Sequence, residues 1–348
     1  MSSFAQAAGR TVPLTRHGKV LLVAGALWLT GFVCLAGTLP PEPVVSIAFV
    51  GDVMLADGPG RAIRRGRDPF APFAQLLQQS DIRVANLECV IATRGRAEPD
   101  KPYTFRAHPR ALGMLKRHFD GVALANNHSG DFGPDAFDQM LGLLETNAIG
   151  YFGGGRNLEQ AHAPWIVERN GLRIAFLGYN EFFPRNFEAD FDKPGVAWSE
   201  DEQVVLDIRN ARAVHHADVV IPMMHWGWEH DTLASPRQRQ LARRMIDAGA
   251  DAVVGGHPHV TQEVEHYLGK PIVYSLGNFV FDGFEGPEPT TGWLLQLEVA
   301  RDGVRAWTIH TGKIDTDGIP HPVQPTPALC WSRDTPDTTV CPPARGKI

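Results

Sequence analysis

The sequence predicts an α/β fold in which parallel strands carry polar side chains at their carboxyl ends. Short apolar, β-like runs alternate with amphipathic helical ones along most of the chain, which is the pattern of βαβ units. Several of these strand-like runs are followed at once by a carboxylate, a carboxamide or an imidazole. Strand-like runs late in the sequence predict a second, largely antiparallel sheet. We therefore expect two sheets packed face to face, with helices outside.

The alternating part begins with three predicted strand–helix units. The strands are expected at 46–52, 82–85 and 122–125, and the helices at 69–80, 110–117 and 131–147. The last helix has apolar residues spaced by three and four and a proline near its first turn. Asn170-Gly171, between two apolar runs, predicts a β-hairpin over 163–179.

The second half continues the alternation and then changes to strands alone. A helix is expected over 201–216, a strand over 219–224, a helix opened by Ser235-Pro236 and a strand over 252–254. The runs PIVYSLG, WLLQLEVA and VRAWTIH then predict strands, the last two joined across Asp302-Gly303. From residue 311 to 348 the sequence is rich in Pro, Thr and Asp, which predicts a poorly packed tail.

The N-terminus predicts a membrane anchor. Basic residues from Arg10 to Lys19 precede an uncharged stretch, Val20–Pro40, and about 20 apolar residues suffice to cross a bilayer as a helix. We expect a signal-anchor over 20–40 with residues 1–19 in the cytoplasm, because positive charge favours the inside. The following domain would face the periplasm or the exterior. Cleavage of a signal peptide near Cys34 stays an alternative.

Composition argues against one class of partner and indicates how two of the cysteines are used. The net charge of -6, with basic residues scattered, argues against a nucleic-acid partner. Cys330 and Cys341 lie close together in the tail, and an exported chain favours a disulfide between them. Two free thiols in a loose tail are the alternative.

The polar groups that follow the strands form a candidate metal site. They are Asp52, Asn86, Glu88, Asn126, Asn127, His128, His225, His257 and His259. Carboxyl ends of parallel strands converge on one crevice, and these O and N donors suit divalent metals. In GGHPH the two histidines are at i and i+2, so in an extended segment both rings would face one pocket. Each residue also has a structural interpretation, such as a turn aspartate, a helix cap or a hydrogen-bonded histidine.

The motifs GDVML, NLE, ANNHSGDFG, HWGWE, GGHPH and SLGNF, in this order, resemble the CapA capsule-synthesis family. That family is linked to poly-γ-glutamate and belongs to the calcineurin-like metallophosphoesterase superfamily. The resemblance covers residues 44–310. It implies a four-layer α-β-β-α sandwich with two divalent cations, Mn, Fe, Mg or Zn, at the strand ends.

Position by position, the resemblance implies a role for each candidate. Asp52 matches the first aspartate ligand, Asn127 the asparagine ligand, and His128 the histidine that protonates the leaving group. The later histidine ligands correspond to His225, His257 and His259. Residues expected to contact substrate or to support the ligands are Asn86, Asn126, Glu229 and Asn278, and for Asn278 a cap at the strand end is the alternative.

Two positions depart from the superfamily pattern. Met54 stands where a histidine ligand is usual, and a thioether is a weak ligand for these metals. The bridging aspartate has no counterpart, so Glu88 or Asn86 must replace it, and a carboxylate favours Glu88. One metal would then be held by Asp52, Glu88 and His259, and the other by Asn127, His225 and His257. The alternative to two full sites is one tightly bound metal, with the other weakly bound or absent.

Two functions are compatible with this sequence. The first is a membrane-anchored, metal-dependent hydrolase or transferase acting on a phosphoester or an envelope polymer such as poly-γ-glutamate. The second is a non-enzymatic anchored subunit that binds an anionic polymer within a synthesis or export complex. The retained Asn127-His128, His225 and GGHPH favour the enzyme, whereas Met54 and the missing aspartate favour the subunit. Membrane-embedded synthase or export subunits are expected partners of either.

Overall fold

The computed structural model describes residues 42–183, 185–323 and 329–341. The predicted anchor over 20–40 and the cytoplasmic segment 1–19 lie outside these residues. Within the described part of the chain, no helix is both long and apolar enough to cross a bilayer.

The described residues form twenty strands and seven α-helices. The strands are β1 (Val45–Val53), β2 (Ile82–Leu87), β3 (Val90–Ile91), β4 (Arg106–Ala107), β5 (Gly121–Ala123), β6 (Gly150–Phe152), β7 (Gly154–Gly155), β8 (Trp165–Arg169), β9 (Leu172–Asn180), β10 (Gly195–Val196), β11 (Val219–His225), β12 (Val253–Gly256), β13 (Val264–Tyr267), β14 (Lys270–Val273), β15 (Asn278–Val280), β16 (Thr291–Ala300), β17 (Gly303–Ile314), β18 (Pro320–Pro322), β19 (Leu329–Ser332) and β20 (Thr335–Val340). The helices are α1 (Asp57–Arg64), α2 (Ala74–Leu77), α3 (Leu112–His118), α4 (Pro134–Thr146), α5 (Leu158–His162), α6 (Asp201–Ala213) and α7 (Pro236–Ala248), with 3-10 turns at Ala71–Phe73 and Pro109–Ala111.

Two mixed sheets organise the molecule. The larger sheet has the order β20-β19-β17-β16-β1-β2-β5-β6, with β15 beside β1 and β18 beside β17. The smaller sheet has the order β13-β14-β12-β11-β9-β8. In both sheets the central pairs β1–β2 and β11–β12 are parallel, so the carboxyl ends of these strands lie at one edge of each sheet.

Three hydrophobic cores define four layers. The central core joins apolar residues of both sheets, among them Phe49 and Leu295 from the larger and Phe176 and Ile221 from the smaller. A second core packs the larger sheet against α3 and α4, and a third packs the smaller sheet against α6 and α7. The order is helix, sheet, sheet, helix. This is the layering that the resemblance implied.

Local signals explain several element boundaries. Asn170 and Gly171 both have positive φ, 50° and 78°, as a type I′ turn requires, and they join β8 to β9 as predicted. Helix α7 begins after Ser235, which forms a capping box with Gln238, and ends at Gly249 in the left-handed conformation. These are favourable start and stop signals for a helix.

The prediction of a separate antiparallel sheet late in the chain is wrong. Strand β16 pairs antiparallel with β1, and β17 pairs with β16, so both extend the first sheet. The alternation of apolar and polar residues predicts a strand but carries no information about its neighbour. Strand partners are set by contacts between residues far apart in sequence.

The segment expected to be a loose tail from residue 311 also differs from the structure. Strand β17 continues to Ile314, and β18, β19 and β20 follow. Trp331 of β19 is buried and stacks on His266, with ring centroids 4.7 Å apart. The disulfide between Cys330 and Cys341 is present. Composition misled here because a few buried residues and a cross-link suffice to hold a polar strand pair on an existing sheet edge.

Three predicted helices are shorter than expected, one of them α6, which ends at Ala213 and not at His216. The segment 69–80 forms a 3-10 turn and the single turn α2. Helix α4 begins at Pro134, not at Asp131, because residues 128–133 form hydrogen-bonded turns.

Candidate metal centre

The carboxyl ends of β1 and β2 bring the first candidate residues together. In the strand register Asp52 lies opposite Asn86 on one side and opposite Asn278 of β15 on the other. The Asn86 amide Nδ2 donates to Asp52 Oδ1 over 2.8 Å and lies 3.2 Å from Glu88 Oε2. All four side chains are buried, so Asn86 separates two carboxylates that solvent does not screen.

Asp52, Glu88 and His259 form a cluster that could hold a metal ion. One ligand atom from each lies within 4.8 Å of the others. His259 Nδ1 is 3.5 Å from Asp52 Oδ2, and His259 Nε2 is 3.7 Å from Glu88 Oε1. The resemblance implied this same set for one metal. Asn278 Oδ1 lies 2.8 Å from His259 Nδ1 and holds that ring.

Asn127, His225 and His257 form a second group next to the first. His225 Nε2 lies 2.8 Å from Asn127 Oδ1 and 3.1 Å from His257 Nδ1. These are the three residues that the resemblance assigns to the other metal. The two groups are connected, since the backbone amide of His257 lies 3.2 Å from Asp52 Oδ2.

The two histidines of GGHPH reach the site by a different backbone route from the one expected. His257 and His259 have φ of 95° and 57°, so the segment is not extended. Positive φ is strained for residues other than glycine, by about 1–3 kcal/mol each. A Cβ on Gly256 would lie 2.7 Å from Asp52 Oδ1, so this glycine permits the close approach of the backbone to the carboxylate.

His128 is held by a residue that the sequence reasoning did not single out. Its Nδ1 lies 2.8 Å from Asp131 Oδ2, while its Nε2 points toward Glu88 Oε1 at 3.9 Å. Asp131 also accepts from the Lys101 ammonium and from the Phe105 amide. Asp131 stands three residues after His128 within ANNHSGDFG, and this short spacing was the only local indication in the sequence that the two side chains could pair. Nothing local pointed to Lys101, whose Nζ also lies 2.5 Å from the Asn127 carbonyl oxygen.

The remaining predicted residues differ in their placement. Asn126 Nδ2 donates to Asn86 Oδ1 over 3.0 Å, and Asn126 Oδ1 accepts from the His128 amide over 3.1 Å. Asn126 therefore links Asn86 to His128. Glu229 is exposed and, within the described residues, forms no hydrogen bond with this group. It acts at longer range, by raising the pKa of Glu88.

The two sulfur-containing side chains near this strand edge do not add ligands. Met54 is buried in the core between the larger sheet and helices α3 and α4, and its sulfur lies 3.1 Å from the Ala56 amide. Burial raises the pKa of the Cys89 thiol to about 12, and its Sγ accepts from the Leu55 amide. A thiol with this pKa stays protonated at neutral pH and is a poor ligand.

Burial sets the protonation of the site. It raises the pKa of Glu88 well above its usual value, and the nearby charge of Asp52 raises it further. Burial likewise lowers the pKa values of His225 and His257, as do their histidine neighbours. The pKa of His128 is lowered by burial, although Asp131 opposes that shift. In the absence of a cation these lowered pKa values keep His128, His225 and His257 neutral at pH 7.

The residues present fit a divalent cation. Within the described chain, Glu88 Oε1 and His257 Nε2 are among the few buried side-chain atoms without a hydrogen-bond partner. Such atoms are costly unless something binds them. A cation would offset the repulsion between two buried carboxylates and suits O and N donors.

Comparison with known proteins gives the family. The profile of the family described as "Bacterial capsule synthesis protein PGA_cap" matches residues 46–283, more than half of the chain. This chain belongs to the PGA_cap family. The match spans the strands and turns that carry every residue of the candidate centre.

Curated relatives agree with the PGA_cap assignment. The "PGA biosynthesis protein CapA" of Bacillus subtilis (strain 168) is 35% identical over 250 residues, which cover 69% of this chain and 64% of that protein. The "Capsule biosynthesis protein CapA" of Bacillus anthracis is 32% identical over 246 residues, covering 68% of this chain and 60% of that protein. The chain thus matches somewhat under two thirds of the length of these relatives.

Solved structures overlap with this chain at low identity. The Haemophilus influenzae NAD nucleotidase NadN has a TM-score of 0.44 and 14% identity, with 86% of this chain and 54% of that chain covered. A Thermus thermophilus sulfate thiohydrolase, SoxB, has a TM-score of 0.46 and 12% identity, with 79% and 57% covered.

Proposed function

We propose that this PGA_cap protein is a metal-dependent hydrolase or transferase in the synthesis of an anionic envelope polymer such as poly-γ-glutamate. It would act on a phosphoester or on the polymer itself. Family membership and the names of the Bacillus relatives support the pathway. The observation that carries the enzymatic part is the buried cluster of Asp52, Glu88 and His259 beside the oriented His128.

The candidate centre supplies two sets of ligands. Asp52, Glu88 and His259 would hold one cation, and Asn127, His225 and His257 a second. A bound divalent cation lowers the pKa of water and polarises a phosphoryl or carbonyl oxygen. The donor atoms suit Mn, Fe, Mg or Zn.

His128 is the residue for proton transfer. Asp131 accepts from its Nδ1 and so directs Nε2 into the site. The buried carboxylate at Nδ1 opposes the lowering of the His128 pKa by burial, and the imidazolium that forms when His128 takes up a proton can give that proton from Nε2 to a leaving oxygen or nitrogen. Asn126 fixes the backbone of His128, and therefore the position from which that proton is delivered.

Location and partners belong to the same proposal. The uncharged stretch over 20–40, with basic residues before it, supports a single-pass anchor with the folded domain on the periplasmic or extracellular side. An anchored enzyme of polymer synthesis would work beside membrane-embedded synthase or export subunits.

One observation favours a second candidate, a non-enzymatic subunit that binds anionic polymer. Met54 stands where the superfamily usually has a histidine ligand and is buried in the core between the larger sheet and helices α3 and α4, so the first cation would have only three protein ligands. A weakened metal site could persist as a binding pocket after catalysis is lost.

Metal content of the full-length protein tests the proposal first. After supply of Mn²⁺, Fe²⁺ or Zn²⁺, we expect one or two equivalents in the wild type. The variants His257→Ala and His259→Ala should lose them, whereas His321→Ala, which removes a histidine remote in sequence and paired with Asp315, should not. A metal-free wild type would refute the metal-dependent function.

Polymer production tests the enzymatic part. We expect His128→Ala to abolish polymer output in cells while the protein is still folded, exported and loaded with metal. Normal output from this variant would refute catalysis and favour the binding subunit.

A further inference from the structure

A cleft close to the candidate metal centre is lined by arginines. Its volume is about 360 Å³, and its walls include Arg61 and Arg64 of α1, Arg106 of β4 and Arg110 of the second 3-10 turn. Asp57 is the one carboxylate among the lining residues, which all lie in the described chain. The cleft is therefore basic, although the protein as a whole has a net charge of -6.

These arginines differ from most others in the protein. Arginines elsewhere commonly pair with a carboxylate, as Arg83 does with Asp120 and Arg212 with Asp251. In the described residues, Arg64, Arg106 and Arg110 form no ion pair, and Arg61 has only a 3.5 Å contact with Asp282. Unneutralised guanidinium groups gathered around one concavity repel each other, and an anionic ligand would offset that cost.

The guanidinium of Arg106 is held in place without being neutralised. It lies 4.3 Å from the ring centroid of Phe132 and donates to the carbonyl oxygens of Arg94 and Gly95. These partners fix its orientation and leave its full charge. Arg110 is likewise held in place, because its Nε donates a hydrogen bond to His108 Nδ1 over 3.2 Å. A fixed guanidinium binds a carboxylate at lower entropic cost than a free one.

The cleft adjoins the metal centre through one short segment. Thr104 and Arg106 line the cleft, while Phe105 between them contacts His128, with ring centroids 4.4 Å apart. Leu55 and Ala56 of the cleft follow closely on Asp52 in the chain. The cleft and the centre therefore share this segment, and a ligand in the cleft would contact the residues on either side of Phe105, which packs on His128.

We propose that this arginine cleft binds the carboxylates of an anionic polymer chain and keeps that chain beside the metal centre. A guanidinium group can donate two parallel hydrogen bonds to one carboxylate. A chain with one carboxylate per repeat could therefore contact several of these arginines. A concave site with arginines on separate elements suits an extended chain better than a flat lipid surface. The choice of a carboxylate polymer rests on the proposed function, whereas the basic cleft does not.

Binding of a labelled poly-γ-glutamate fragment to the full-length protein in detergent tests this proposal. Fluorescence anisotropy at low salt should show binding that weakens as salt screens the charges. The double variant Arg64→Gln/Arg110→Gln should lose about tenfold or more in affinity, since two charge-assisted contacts disappear. Both side chains are exposed, so the thermal unfolding midpoint should not change.

A matched control separates the cleft from general charge. Arg169 and Arg209 are exposed, without an ion pair in the described chain, and outside the cleft lining, so Arg169→Gln/Arg209→Gln changes the net charge equally. Equal loss of affinity in both double variants would overturn the proposal. It would also be overturned if the cleft variant lost binding to vesicles of equal parts phosphatidylglycerol and phosphatidylcholine but bound the polymer normally.

The two proposals fail in different ways. His257→Ala should lose metal but retain polymer affinity, because it is not part of the cleft. If the wild type contains no metal yet binds polymer through Arg64 and Arg110, the proposed function fails and the cleft stands. If metal is bound but polymer is not, the cleft proposal fails alone.

Discussion

His128 Nδ1 and Asp131 Oδ2 lie 2.8 Å apart, and both side chains are buried beside the candidate metal centre. This contact directs His128 Nε2 toward Glu88 and supplies a negative charge behind the imidazole. The other carboxylate oxygen of Asp131 pairs with the Lys101 ammonium, so Asp131 connects His128 and Lys101 in one network. Asp131 therefore acts as a positioning residue for His128.

The substitution Asp131→Asn should impair proton transfer more than folding. The carboxamide would keep the shape of the side chain but not the charge that stabilises the imidazolium, so we expect polymer output per molecule to fall about tenfold or more. The double variant with His128→Ala should be no worse than His128→Ala alone. Asp68→Asn is the matched control, because Asp68 holds His118 at 2.9 Å in a similar pair that involves none of the proposed site residues.

Replacing Glu88 with glutamine should stabilise the metal-free protein at neutral pH. The folded state raises the pKa of Glu88, so the stability associated with the protonated form is present at low pH and declines as pH rises toward the raised pKa. Glutamine has no proton to lose, so the stability of Glu88→Gln does not decline in this way. Near pH 7 we expect its free energy of unfolding to exceed that of the wild type by about 1–3 kcal/mol. Urea unfolding in the presence of a chelator should show this difference in unfolding free energy at pH 7 and no difference at acidic pH. Equal stability of the two proteins at both pH values would contradict it.

Metal affinity should increase with pH. Since metal displaces a proton from Glu88 while the neutral His225 and His257 have none to lose, the affinity should rise by about tenfold per pH unit below the raised pKa of Glu88. Competition with a fluorescent chelator at several pH values measures this slope. The slope should become shallower in Glu88→Gln, which has no proton to displace at that position. A wild-type affinity that stays constant with pH would show that Glu88 is not a ligand.

Adding one methyl group at Gly256 should disrupt the centre. Its Cβ would lie 2.7 Å from Asp52 Oδ1, so Gly256→Ala must displace a buried carboxylate or the backbone of His257. We expect a loss of about 1–3 kcal/mol in unfolding free energy together with the loss of bound metal. Gly142→Ala is the control, because nothing lies within 4 Å of a Cβ there and its position in α4 predicts a small gain. Full metal content in Gly256→Ala would contradict the close packing of this turn.

Parts of this site were predictable because their signals are local. A polar residue directly after an apolar run marks a strand end, and Asp52, Glu88, His225 and His257 were found in this way. The Asn170-Gly171 hairpin and the capped start of α7 were predictable for the same reason. The extended backbone expected for His257 and His259 was wrong, because a strained turn is imposed by packing and leaves no mark in the residue pattern.

Sequence alone determined that this chain has an α/β domain with candidate metal-ligand residues after its strands, since these features depend on residue type and short spacing. Only the tertiary structure decided which side chains touch. Asn127 and His225 are 98 positions apart yet lie 2.8 Å apart, because sheet order and register set that distance. The same long-range packing joined β16 to β1, placed Lys101 on Asp131, and gathered four arginines around one cleft.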